Sequence, residues 1–225
     1  MVKRWELAVT GLGSTALLLA AWAKVLPLEL TETLGFVTGS IGVWLTVKEN
    51  IWSWPIGIAN SAFFVALFFD ARLFADMGLQ LIYIALGFLG WYWWLRGGAD
   101  RTILRVSRAS TATLLTLAAL VVVATGGLTL FLRSIGDAAP VLDALTTTLS
   151  LAAQYLLTRK LLESWYVWIA ADIIYIGLYS SRELYLTAAL YALFLGLCVL
   201  GLRGWRGSLI PAPAPALTVA AEGAR

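Results

Sequence analysis

Eight apolar stretches run along the chain, at Trp5–Ala23, Thr33–Val47, Ile51–Phe69, Leu73–Leu95, Ser110–Leu132, Ala139–Leu157, Leu161–Ser180 and Leu184–Leu202. A helix needs about 20 apolar residues to cross a hydrocarbon core, and most of the stretches come close to that. Charged residues gather in the short connections. The longest connection, Arg96 to Ala109, holds Arg96, Arg101, Arg105 and Arg108. The pattern predicts an all-α integral membrane protein with eight transmembrane helices. Beyond Trp205 the sequence becomes rich in proline and alanine (Pro211, Pro213, Pro215) and reads as a disordered tail.

Composition sharpens this reading. Apolar residues make up 60% of the 225 and charged residues 13%, against about 45–50% and about 25% in soluble domains. A soluble enzyme or binding module is excluded, because no soluble fold of this size hides so much apolar surface. No length remains for a separate soluble domain, so any function is built within the helix bundle, with the lipid bilayer as its surroundings.

The basic residues give orientation. With the N-terminus in the cytoplasm, that side carries 12 of the 16 Lys and Arg, and the other side only Lys24, Arg72, Arg133 and Arg182. The positive-inside rule then places both termini in the cytoplasm. This distribution reflects topology and does not point to nucleic acid. Lys3-Arg4 and Ala21-Trp22-Ala23 resemble the flanks of a cleavable signal, but Glu6 and the bulky Trp22 favour a retained helix.

The absences are equally informative. With no His, imidazole metal sites, Ser-His or Cys-His catalysis and histidine relays are excluded. The one cysteine, Cys198, allows no intrachain disulfide, lies in an apolar run and reads as inert packing. No G-x-x-x-x-G-K-[ST] pattern occurs, so ATP-driven transport by this chain alone is excluded. An intramembrane enzyme lacks its parts, and no cofactor or metal is implied. A ligand sensor is not excluded by sequence, nor is proton coupling through Asp172.

Segments two to four resemble segments six to eight. Each triplet has a charged turn after its first helix (Lys48-Glu49; Arg159-Lys160) and a Ser-Trp pair opening its second (Ser53-Trp54; Ser164-Trp165). A shift of 111 aligns the Ser-Trp pairs, while a shift of 112 aligns Lys48 with Lys160 and Asn60 with Asp172. The triplets share one orientation because segment five intervenes. Parallel repeats about an axis along the membrane normal are a transporter plan, with substrate near the midplane between them.

Polar groups at membrane depth are costly and usually functional. Asp172 is the only charged residue deep inside any span. It lies in a stripe of Trp165, Trp168, Asp172, Tyr175 and Tyr179, spaced 3, 4, 3 and 4, which is one helix face. Segment three offers Trp54, Gly57, Asn60 and Ser61; segment four offers Gln80, Tyr83, Gly87 and Trp91; segment six offers Thr147, Ser150, Gln154 and Thr158. Asn60, Gln80 and Gln154 are ligand-binding candidates, with interhelical hydrogen bonding as the alternative. Trp54, Pro55 and Gly57 are candidates for a gate or hinge, and Gly35, Gly39 and Gly42 form a small-residue stripe for close packing.

One carboxylate, several amides and hydroxyls, many rings and no Lys or Arg at depth suit an aromatic, neutral or cationic ligand. Phosphate esters, which need cationic partners, fit poorly.

Three stretches carry a family resemblance. They are Trp54-Pro55-Ile56-Gly57-Ile58-Ala59-Asn60; Gln80, Tyr83 and Gly90-Trp91-Tyr92-Trp93-Trp94; and Ser150, Ala153-Gln154, Arg159-Lys160, Trp165, Trp168 and Asp172. With them the chain resembles the PnuC-type vitamin transporters, the nicotinamide riboside transporter family, over segments two to eight. The resemblance implies two parallel three-helix bundles joined by one helix, similar to the SWEET proteins. It implies a homotrimer in the bacterial inner membrane and facilitated diffusion, with a cytoplasmic kinase trapping the vitamin. Asn60, Gln80, Tyr83, Gln154, Trp168 and Asp172 would line the site, joined by Tyr175 from the stripe. Nicotinamide riboside, a pyridinium cation with a carboxamide and a ribose, fits the ligand profile; thiamine and riboflavin are carried by relatives in the wider family. The expected organisation is an extra N-terminal helix (1–28), a first bundle (29–95), a basic loop with the linking helix (96–137), a second bundle (138–205) and the tail (206–225).

Overall fold

The computed structural model describes residues 30–209 except 71, 73, 138 and 184. Among the described residues the chain forms seven α-helices: α1 Leu30–Val47, α2 Ser53–Asp70, α3 Phe74–Arg96, α4 Thr111–Ser134, α5 Pro140–Thr158, α6 Ser164–Ser181 and α7 Tyr185–Gly207. They match segments two to eight to within a few residues. Segment one lies outside the described residues, as does the tail beyond 209. By length and composition, Ser53–Asp70, Asp76–Arg96, Thr111–Ser134 and Thr187–Gly207 can each cross a membrane. Thr33–Val47 is a shorter apolar helix, and α5 and α6 carry polar side chains that face inward.

Local chemistry sets the helix limits. Ser110 caps α4, its Oγ accepting from the Thr113 amide at 3.1 Å. Pro140 opens α5 and Pro55 sits in the first turn of α2, where a missing N–H costs little. α1 and α5 end alike. Glu49 N–H donates to Thr46 O and Asn50 N–H to Leu45 O, both at 2.9 Å; Lys160 N–H donates to Leu157 O at 2.9 Å and Leu161 N–H to Leu156 O at 3.0 Å. This is the Schellman pattern, and its left-handed residues are Glu49 (φ 53°) and Lys160 (φ 55°).

Each helix of a ring packs on the next: α1 on α2, α2 on α3, α3 on α5, α5 on α6, α6 on α7, and α7 back on α1. α4 stands against α5, tied by Thr125 Oγ1 to Thr148 Oγ1 at 2.7 Å. Leu115, Leu120, Val122, Val123, Leu130 and Phe131 of α4 are exposed, an apolar face suited to lipid.

The repeat is visible at the basic end of the ring, and there the 111-residue shift holds. Trp54 meets Trp94 edge-on at 5.3 Å and 87°; Trp165 meets Trp205 at 5.2 Å and 85°. A Cβ on Gly90 would collide with the Trp54 ring, and one on Gly201 with the Trp165 ring. Trp94 Nε1 donates to Leu157 O at 3.1 Å and Trp205 Nε1 to Thr46 O at 3.2 Å, each reaching into the other half. The 112-residue alignment of Lys48 with Lys160 fails here: the backbone places Glu49 opposite Lys160, and the two pair at 2.8 Å. Burial of apolar area does not drive helices together in lipid, so close packing of large rings on glycine helps hold these ends, together with the indole hydrogen bonds and the ion pair.

The arginine-rich connection is docked. Leu104 N–H donates to Trp94 O at 3.0 Å, Ser107 N–H to Lys160 O at 3.2 Å, and Leu162 N–H to Ser107 O at 2.9 Å. Val106 is buried, and Ala109 N–H donates to Glu163 Oε2 at 2.8 Å. Lys160 Nζ donates to Leu104 O at 3.1 Å and lies 4.7 Å from the Trp94 ring centre. The connection therefore straps the two halves together.

Candidate functional site

The ring encloses a cavity of about 550 Å³, within the range of small-molecule sites. It runs from Ser53, Trp54 and Trp165 at the basic end to Phe68, Asp76 and Tyr179 at the other. All seven ligand-site candidates line it: Asn60 from α2, Gln80 and Tyr83 from α3, Gln154 from α5, and Trp168, Asp172 and Tyr175 from α6. Trp54 and Gly57 line it too. Pro55, Ser61, Thr147 and Thr158 are not among its lining residues. Thr158 is buried and donates to Tyr155 O at 2.6 Å. Trp91 also stands off the cavity, in an outer groove with Phe88, Tyr92, Leu95 and Arg96. Trp94, one helical turn from Gly90, is the tryptophan that α3 turns inward.

The amides differ in what they offer. Asn60 Nδ2 donates to Gly35 O at 2.9 Å and to Thr38 Oγ1 at 2.6 Å, so its NH₂ group joins α2 to α1. Its carbonyl oxygen is what it can turn to a ligand. Gln80 and Gln154 have no hydrogen-bond partner among the described residues, which leaves donors and acceptors for a bound molecule. Tyr83 Oη donates to Ser150 Oγ at 2.6 Å, and Ser150 Oγ donates onward to Thr147 O at 2.8 Å. That chain fixes the Tyr83 ring between α3 and α5.

Asp172 is 4% exposed and makes no ion pair among the described residues. Its Oδ2 accepts from Cys198 Sγ at 3.4 Å. No Lys or Arg lines the cavity among the described residues. Cys198, read from sequence as inert packing, therefore belongs to the site. Beyond Asp172 stands an aromatic wall: Tyr175 stacks on Tyr191 at 4.5 Å, Tyr179 on Tyr191 at 5.3 Å, and Phe194 meets Tyr191 at 6.1 Å. A buried carboxylate without a counter-ion, beside stacked rings, attracts a flat cation.

A sequence search for polar groups at membrane depth does not find α7. Tyr191, Phe194 and Cys198 all line the cavity. The signal was spacing: Tyr191, Phe194, Cys198, Gly201 and Trp205 follow steps of 3, 4, 3 and 4. The same steps join Gln80, Tyr83, Gly87, Gly90 and Trp94 on α3, 111 residues earlier.

Known proteins share this architecture and sequence. The chain superposes on the crystal structure of the vitamin B3 transporter PnuC with a TM-score of 0.68, over 92% of each chain at 22% identity, which shows the fold. It is 25% identical over 207 residues to the nicotinamide riboside transporter PnuC of Escherichia coli (strain K12), covering 80% of this chain and 87% of that one. It is 24% identical over 180 residues to the riboflavin/roseoflavin transporter RibM of Streptomyces davaonensis, covering 78% and 84%. The family model described as nicotinamide mononucleotide transporter matches residues 29–207, most of the chain. The chain therefore belongs to that family of multi-pass membrane transporters.

Proposed function

We propose that the protein is a facilitator for uptake of nicotinamide riboside. The carrying observation is Asp172, buried without a cationic partner in an aromatic cavity that also presents the free amides of Gln80 and Gln154. A pyridinium ring would sit between the carboxylate and the rings of Trp168 and Tyr175, and the amides would bond its carboxamide and ribose. Phosphate is disfavoured, because no Lys or Arg lines the cavity among the described residues. This favours a nucleoside over a nucleotide.

In this reading, residues 29–95 and 138–205 are two parallel three-helix bundles, linked through 96–137. They rock about the midplane site in alternating access, with Trp54, Pro55 and Gly57 at the moving start of α2. The basic end faces the cytoplasm of a bacterial inner membrane, where a kinase phosphorylates and traps the vitamin. The functional assembly is a homotrimer.

A second reading, riboflavin transport, is favoured by the likeness to the riboflavin/roseoflavin transporter RibM. Counterflow separates the two. Liposomes with purified protein and internal unlabelled nicotinamide riboside should take up the labelled compound, with nicotinamide riboside as a better competitor than riboflavin or thiamine. Exchange of riboflavin or thiamine alone would refute the substrate, and no exchange of any vitamin would refute transport.

A further inference from the structure

Five buried side-chain polar atoms among the described residues have no hydrogen-bond partner in the protein: Ser40 Oγ, Ser53 Oγ, Trp54 Nε1, Ser164 Oγ and Trp165 Nε1. Four of them fall on the two Ser-Trp pairs that stand 111 residues apart. A buried polar group without a partner is expensive, and native folds rarely leave one. Here the same two groups, a serine hydroxyl and an indole N–H, are left in each half.

The neighbouring rings provide an internal control. Trp94 and Trp205 pack against Trp54 and Trp165, and both of their indole N–H groups reach backbone carbonyls. The fold satisfies the purely structural tryptophans of this cluster and leaves the other two open. Those two, with Ser53, line the basic end of the cavity.

We infer that Ser53, Trp54 and Trp165 form an inner subsite for a neutral, hydroxyl-rich group, the sugar of a permeant whose ring is held by Asp172; Ser164 is fully buried and does not line the cavity. Two indole N–H donors require oxygen acceptors, and the Ser53 hydroxyl can donate or accept. Ser53 and Ser164 are the first residues of α2 and α6, and helix starts favour electron-rich oxygen. Charge selects hydroxyls over phosphate: Lys160, over the Trp94 ring, is already held by Glu49 and Leu104 O. The inference rests on the cavity being the transport site, and it holds for a riboside or a ribityl chain alike.

The test compares ligands that share a ring and differ in the sugar. Nicotinamide riboside is paired with 1-methylnicotinamide, and riboflavin with lumiflavin, as inhibitors of exchange in liposomes. The variants are Trp54→Phe and Trp165→Phe, with Ser53→Ala as a milder change should the aromatic variants fail to fold. Each donor removed should raise the half-inhibitory concentration of the sugar-bearing member about two- to tenfold and leave its sugar-free partner unchanged. Equal shifts for both members, or no shift for either, overturn the subsite. So does a wild-type protein that does not discriminate within either pair. Discrimination confined to the flavin pair would leave the subsite standing and refute the nicotinamide riboside reading alone.

Discussion

Replacing Glu49 by Gln should loosen the basic end of the ring. Glu49 Oε2 lies 2.8 Å from Lys160 Nζ, with the two side chains 26% and 5% exposed. Breaking a fully buried pair from one side costs about 3–5 kcal/mol. Glu49 is a quarter exposed, and Lys160 keeps the Leu104 carbonyl and the Trp94 ring. The loss should therefore be smaller, about 1–3 kcal/mol, or about 5- to 150-fold in the closed-to-open ratio at this end. Hydrogen exchange reads it directly. The amides of Ser107 and Leu162 are bonded across the strap, and their protection should fall by that factor in Glu49→Gln. Adding Lys160→Met, which removes the stranded charge, should restore part of it. Exchange within twofold of wild type at both amides would refute this role for the ion pair, as would an equal loss in Arg105→Gln, whose side chain is exposed.

Two further predictions follow from the repeat. Gly90→Ala and Gly201→Ala should each lose about 1–3 kcal/mol by driving a methyl into a tryptophan ring, lowering the unfolding temperature in detergent by about 2–10 °C; Gly196→Ala, with nothing within 4 Å, should change it little. Trp94→Phe and Trp205→Phe should destabilise by similar amounts, about 0.5–1.5 kcal/mol for the lost indole bond, beyond the packing loss shared with Trp54→Phe, and unequal losses measured by thermal unfolding would contradict the symmetry of the two halves.

Hydropathy made the helices legible, since an apolar run of that length has few alternatives in lipid. α1 to α7 begin and end within a few residues of the apolar stretches. Residues whose chemistry is costly at membrane depth were legible for the same reason: Asp172, Asn60, Gln80 and Gln154 all turn into the cavity. A search for polar groups passes over α7, whose inward face is Tyr191, Phe194 and Cys198. Cys198 gains its part only from its distance to Asp172, which depends on how α6 packs on α7. The strap was illegible because backbone bonds hold it, and these leave no periodic mark. Its signal in sequence is slight: Leu104 and Val106, apolar residues set among Arg101, Arg105 and Arg108. Trp91 and Trp94 share an aromatic run, and only the close approach at Gly90 decides which turns inward.

The central claim is that Asp172 selects a cation. Dihydronicotinamide riboside has nearly the shape of nicotinamide riboside and lacks its positive ring. Competition by the two compounds should be measured in wild-type protein and in Asp172→Asn. The account predicts that wild type prefers the cation by about tenfold or more, the value of roughly one charge-assisted contact, and that Asp172→Asn binds both alike. A variant that folds and keeps the wild-type preference would contradict it.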